Sequence, residues 1–410
     1  LWGFANDITN PMVKAFSKIF RMSVTDGSLV QVAFYGGYFA MAVPAALFIR
    51  RFSYKAGIMT GLALYAAGSL LFMPAMETGS YYPFLGAYFI LTCGLSFLET
   101  SCNPYILSLG DRESATRRLN LAQSFNPIGS LAGMFVAMNF IQNRLNPMST
   151  EERATLGEAE FEAVRDADLS ILVEPYVIIG AVILVIFALF AFTKMPTEKG
   201  THEKLNFSLS IKRLAAIKNY RNGVIAQFFY VGAQIMCWTF IIQYGTQLFT
   251  SQGMEEQSAE VLSQGYNIAA MVLFCCSRFI CTYLLRFINP GKLLGIFSVA
   301  AACFTIGAIV FQNICGLYSL VAVSACMSLM FPTIYGIALE NVEIYDTSLG
   351  AAFLVMAIVG GAVMPPLQGL VIDQGIIAGL PAVNVSFALP LVCFLIVTIY
   401  GLRSYKALKG

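Results

Sequence analysis

The chain has 410 residues, of which 58% are hydrophobic and only 12% charged, with a mean hydropathy of +0.71. Soluble domains carry about 25% charged residues and cannot hide that much apolar surface, so a soluble globular protein is excluded and an all-α membrane protein is expected. The net charge of +2 comes from cations scattered over short polar stretches, which offers no footing to nucleic acid.

The apolar residues come in stretches of about 20, each able to cross roughly 30 Å of hydrocarbon, and about twelve such segments are expected. The first, 1–20, starts without Met and already inside an apolar run. The natural N-terminus and the start of this helix are therefore expected to be missing. It carries Asp7 within FANDITNP, with Asn10 one turn later. The second, 28–49, reads FYGGYFAMAVPAAL around Tyr38, and the third covers 56–76. The fourth, 82–109, holds Glu99 and Asn103 within SFLETSCNP. An ionised side chain at mid-membrane costs roughly 2.5–3.5 kcal/mol on insertion scales. A carboxyl there must face a wet cavity, find a partner or carry a proton. Asp7 and Glu99 are thus candidates for reversible proton binding, against the plainer role of locking two helices together.

The fifth segment, 119–142, opens LNLAQSFNPIG, which sets Gln123 and Asn126 three residues apart on one helical face. The sixth is 171–192. A polar stretch follows in which Leu205, Ile211, Leu214 and Ile217 alternate with Lys and Arg, reading as an amphipathic helix on the membrane surface. The seventh segment, 223–248, places Gln227, Tyr230, Gln234 and Trp238 at spacings of three and four, again on one face. Amides have both donor and acceptor capacity, as sugar hydroxyls do, and aromatic rings beside them suit the apolar face of a sugar. The bland alternative is interhelical hydrogen bonding, worth well under about 2 kcal/mol per bond. The eighth segment, 262–285, contains Arg278, a snorkelling or gating cation. The ninth, tenth, eleventh and twelfth are 292–311, 317–339, 348–372 and 383–402. The eleventh reads AAFLVMAIVGGAVMPPLQG, whose Gly and Pro suit either a rocking helix or close static packing.

Loop charge gives an expected orientation. Arg50, Arg51, Lys55, Arg112, Arg117, Arg118, the cations between 194 and 221, Arg286, Lys292, Arg403, Lys406 and Lys409 fall on one side under a twelve-helix count. That side is expected to be cytoplasmic, with both termini. Lys14, Lys18 and Arg21 are the exception. The acid-rich stretches at Glu151, Glu152, Glu158 to Asp168, Glu255 and Glu256 fall opposite. Three regions are expected: a six-helix half over 1–193, a cytoplasmic linker over 194–221 and a second six-helix half over 222–410, with a solute cavity between the halves. Weak internal repetition supports this, since GLSFLETSCNPYILSLG resembles SACMSLMFPTIYGIAL and pairs Asn103 and Pro104 with Phe331 and Pro332. Met327 stands where Glu99 stands in the first half.

Ten cysteines lie almost entirely in apolar segments without CxxC spacing, and the single histidine, His202, lies in a polar loop. They favour neither a disulfide framework nor a metal site. With no GxxxxGK[ST] phosphate cradle, ATP is not the expected energy source.

Several blocks resemble the fucose–proton symporters of the major facilitator superfamily. They are QVAFYGGYF, FSYKAGIMTGLALYAAG, GLSFLETSCNPY, RLNLAQSFN and AQFFYVGAQIMCW. The resemblance runs from the first segment through the eleventh and implies the twelve-helix fold of that superfamily, in two six-helix halves. It implies uptake of L-fucose or a close hexose driven by the proton gradient, with no cofactor, in the bacterial inner membrane and as a monomer. The family's proton-coupling glutamate maps onto Glu99, and its sugar-binding glutamine and asparagine onto Gln123 and Asn126. An ungapped match from Trp2 to Gln31 puts Asn10 where the family has an acid, with Asp7 one turn earlier on a similar face. The family's aromatic sugar contact in the tenth helix maps onto Phe331, which has no hydroxyl. The superfamily's loop signature is degenerate, with Arg50 at its acidic position and Ser53 at its glycine, although Lys55 is kept.

The expectation is a sugar–proton symporter working by alternating access, not an enzyme. Its proton-coupling candidates are Asp7 and Glu99; its sugar-binding candidates are Asn10, Tyr38, Asn103, Gln123, Asn126, Gln227, Tyr230, Gln234, Trp238 and Phe331. A D-glucose/D-galactose carrier of the same family is the near rival. A membrane-embedded enzyme acting on lipid-linked sugars is the distant one, and it lacks a catalytic constellation beyond the acidic stretch Glu151 to Asp168. A nutrient sensor would need a large soluble extension.

Overall fold

Hydrocarbon offers no partner to a bare peptide group, so each apolar stretch closes its hydrogen bonds within itself as a helix. The computed structural model describes residues 1–9, 12–22, 26, 29–148, 150–195 and 207–407. Among these, eleven helices are long and apolar enough to span a membrane. Ahead of them lie α1 (Trp2–Thr9) and α2 (Met12–Ile19), on either side of residues 10–11, where one helix over 1–20 is expected from sequence. The spans that follow are α3 (Leu29–Arg51), α4 (Tyr54–Glu77), α5 (Tyr82–Ser108), α6 (Ala115–Ile141) and α7 (Glu158–Phe192). After the polar helix α8 (Phe207–Ala216) come α9 (Lys218–Ser251), α10 (Val261–Leu284), α11 (Pro290–Val310), α12 (Ile314–Leu339), α13 (Thr347–Ile372) and α14 (Ala382–Tyr405).

Two boundaries differ from the sequence reading for one physical reason. α7 starts at Glu158, not 171, so the acidic stretch is its first three turns rather than a loop. α9 likewise starts at Lys218. Hydropathy marks where lipid is tolerated, whereas a helix continues into water as long as its backbone bonds persist. Between α13 and α14 a hairpin, β1 (Ile376–Ile377) and β2 (Leu380–Pro381), turns through Ala378 and Gly379, both at positive φ as a tight two-residue turn requires.

The chain forms two compact units. The first comprises residues 1–105 and 128–203. Its helices approach closely at glycines: a side chain at Gly94 would strike the Tyr65 backbone of α4, and one at Gly68 the Leu91 backbone of α5. Beyond these contacts lies an aromatic cluster. Phe72 stacks on Tyr176 at 4.1 Å between centroids, and the Tyr88 and Tyr176 hydroxyls share a 2.6 Å hydrogen bond. The segment before α7 is clasped to it by a fully buried ion pair, Arg153 to Asp168 at 2.5 Å. Arg153 also donates to the Asn146 and Met148 carbonyls, while Asp168 accepts from the Asn146 N–H.

The second unit comprises residues 106–127 and 204–410, so α6 passes from one unit to the other between Pro127 and Ile128. Here α11 and α14 cross at Gly295 and Gly401. Asn384 and Tyr244 together take the Ala308 carbonyl near the end of α11. α8 buries Leu214 against Gly350, and Arg213 approaches Asp346 at 3.6 Å. This helix therefore docks on protein through one stripe; Leu205 lies outside the described residues.

Candidate functional site

In the first unit, Glu99 lies two-thirds of the way along α5 and is buried. The side chain of Asn103, one turn on, donates to its carboxylate. The spacing of four makes this possible, because i and i+4 stack on one helical face. The Tyr38 hydroxyl of α3 lies within electrostatic reach of Glu99, and Ser96 donates to the Tyr38 carbonyl at 3.2 Å. Glu99 and Asn103 thus form a hydrogen-bonded polar pair among apolar helices. Asp7 is buried on α1, within electrostatic reach of Tyr35 one turn before Tyr38. Thr9 caps back onto the Ala5 carbonyl, and the Trp2 indole donates to the Leu95 carbonyl at 3.3 Å, which fixes α1 beside α5. Asn10 lies outside the described residues.

The amide set belongs to the second unit. α6 is not continuous: regular helix stops at Gln123 and resumes at Asn126, with Ser124 and Phe125 in turns closed by bonds three residues back. The expected shared face of Gln123 and Asn126 assumed an unbroken helix; the break falls between them instead. Its cause is Pro127, which lacks an N–H and so leaves the Gln123 carbonyl without its helical donor. Gln123 is buried and Asn126 half-buried.

α12 breaks in the same way between Met327 and Met330, just before Phe331 and Pro332. The Tyr230 hydroxyl of α9 donates to the Met327 carbonyl at 2.9 Å, and Ser277 of α10 donates to the Ala325 carbonyl at 2.9 Å. Sequence reasoning did not single out Ser277 or the break. Pro332, five residues after the Met327 carbonyl, is the sequence signal for the break, while nothing in the spacing marks Ser277, whose acceptor Ala325 lies further back. Asn120 of α6 donates to Thr333 of α12 at 3.2 Å, joining the two broken helices directly.

On α9 the four expected residues divide. Gln227 and Tyr230 are fully buried, while Gln234 and Trp238 are partly exposed. Both polar atoms of Gln227 have no hydrogen-bond partner among the described residues. The Trp238 indole donates to Ser324 at 3.3 Å and meets Phe274 edge-on at 5.0 Å. Phe331 lies half-buried beside Tyr335, 6.3 Å between centroids. Amides and ring edges of these kinds can bind a polyhydroxylated ring: hydroxyls to amides, C–H face to aromatics. Arg278 is almost wholly buried, with its guanidinium over Phe274 at 4.7 Å. Among the described residues no cluster of His, Cys, Asp and Glu could hold a metal ion.

Comparison with known proteins identifies the family. The L-fucose-proton symporter of Haemophilus influenzae is 50% identical over all of this chain and 95% of its own length. A glucose/galactose transporter of Brucella abortus is 31% identical over 99% of this chain and 92% of its own. A crystal structure of the Escherichia coli fucose:proton symporter matches with a TM-score of 0.87 at 33% identity, covering 98% of this chain and 95% of that one. Residues 1–365 match the Major Facilitator Superfamily. The chain therefore belongs to the major facilitator superfamily, in the family of these sugar transporters.

Proposed function

We propose that the protein is a proton-coupled symporter that imports L-fucose, working by alternating access as a monomer in the bacterial inner membrane with both termini cytoplasmic. The observation that carries this reading is Glu99: a carboxyl buried in mid-helix that, among the described residues, accepts its side-chain hydrogen bond from an uncharged amide and forms no ion pair with an arginine or lysine. Such a group can cycle between charged and neutral forms, whereas a carboxylate locked to an arginine resists protonation. Asp7 is the second proton-binding group. Gln123, Asn126 and the α9 residues supply the hydroxyl-binding face, and Phe331 and Trp238 the ring contacts. No cofactor is required, because the proton gradient supplies the work: each charge crossing the full potential gains about 2.3 kcal/mol per 100 mV. The 50% identity to a named L-fucose-proton symporter favours L-fucose over glucose or galactose.

The test is uptake of labelled L-fucose by cells or proteoliposomes, challenged by a panel of hexoses with and without an uncoupler. Inhibition by unlabelled L-fucose at low excess and collapse of accumulation with uncoupler are expected. Equal or stronger competition by D-glucose and D-galactose would transfer the substrate to those sugars. Accumulation that survives the uncoupler would remove the proton from the mechanism.

A further inference from the structure

Within the second unit, one turn of α10 reaches both broken helices. Its residues Ser277 and Cys281 face α12: Ser277 donates to the Ala325 carbonyl, and both contact Ser328 at the break. Arg278 and Thr282, the next pair around the helix, face α6. Thr282 shares a 3.1 Å hydrogen bond with Ser124, which itself donates to the Asn120 carbonyl. Arg278 Nη1 donates to the Gln123 carbonyl at 3.0 Å. That is the carbonyl Pro127 leaves without a helical donor. Away from water an unpaired carbonyl is costly, and it has found its donor 155 residues further along the chain.

Among the described residues no carboxylate pairs with Arg278. Its charge is carried instead by the face of Phe274 and by this carbonyl dipole. Arginine suits the task because its planar fork holds a donor in a fixed direction, which the freely rotating ammonium of lysine does not.

We infer that Arg278 is a positioning residue for the sugar-binding amides: it replaces the backbone donor that Pro127 removes and thereby fixes how Gln123 and Asn126 project from the two sides of the break. The inference rests on reading Gln123 and Asn126 as sugar contacts.

A double-variant cycle between Arg278 and Pro127 tests it, read by L-fucose counterflow in proteoliposomes. Arg278→Gln is expected to raise the half-saturating sugar concentration about tenfold. Adding Pro127→Ala gives the Gln123 carbonyl a donor from its own helix and should return most of that loss. A defect equally deep with and without Pro127→Ala overturns the inference and points to direct sugar contact by Arg278. Should Pro127→Ala alone stop counterflow, thermal unfolding of the four purified proteins decides. Arg278→Gln must then lower the midpoint less in the Pro127→Ala background, and equal lowering overturns the inference. Gln123→Ala examines the underlying reading separately. An unchanged half-saturation there would remove Gln123 from the sugar site, while the unfolding cycle would still report whether Arg278 serves the freed carbonyl.

Discussion

Glu99 and Asn103 sit one turn apart on α5, and the amide donates to the carboxylate. Glu99→Gln keeps the shape and a hydrogen-bonding side chain but removes the titrating oxygen. It is expected to abolish uphill, proton-coupled uptake while leaving counterflow exchange within a few-fold of the parent, since exchange needs no net proton movement. A variant that still concentrates sugar would take the proton role from Glu99. Asn103→Leu is expected to impair exchange as well, because it leaves a buried carboxyl without its donor; comparing the two variants in counterflow separates proton coupling from simple folding of the site. At this scale much was legible in sequence. A Glu or a pair of amides inside an apolar run declares itself by its cost in lipid. What hydropathy could not show was Arg278 meeting the Gln123 carbonyl, because that bond joins residues 155 apart and depends on an N–H that is missing rather than on a side chain that is present.

Among the elements, the buried clasp on α7 makes the clearest prediction. Arg153→Ala strands Asp168 in a dry site, and breaking a buried pair from one side costs about 3–5 kcal/mol. The thermal unfolding midpoint in detergent should fall sharply. Replacing both partners, as Arg153→Met with Asp168→Leu, should recover much of that loss, and failure to recover would mean that the clasp does more than compensate its own charges. At α4 and α5, Gly94→Leu should block the close approach to Tyr65 and yield protein that inserts but unfolds at lower temperature, as limited proteolysis would show. Segment existence was legible from twenty-residue apolar runs: eleven of the expected twelve are long apolar helices among the described residues, and the first is represented by the short helices α1 and α2. The break in α6 was not, since spacing arguments presume continuous helix. The long acidic start of α7 was missed for the opposite reason: charges excluded lipid but did not exclude helix.

For the whole molecule, the resemblance supplied what composition could not. Composition gave a polytopic membrane protein, and motif blocks narrowed it to a sugar-transporter family. The proposed coupling makes a global prediction: adding L-fucose to cells at neutral pH without another energy source should make the medium more alkaline, as protons enter with sugar. A pH electrode registers this, and an absence of alkalinisation during demonstrable uptake would separate transport from the proton gradient.

Residues 106–127 lie early in the chain yet pack with residues 204–410. During synthesis, at roughly 5–20 residues per second, this stretch emerges many seconds before α10 and α12, the helices that hold its break. Until then the bonds from Arg278 to the Gln123 carbonyl and from Asn120 to Thr333 cannot form. The early half of the chain therefore cannot mature alone, and a ribosome stalled within α9 should leave the start of α6 open to a membrane chaperone. Biogenesis and the proposed sugar site are in this sense finished by the same late event, the arrival of one turn of α10.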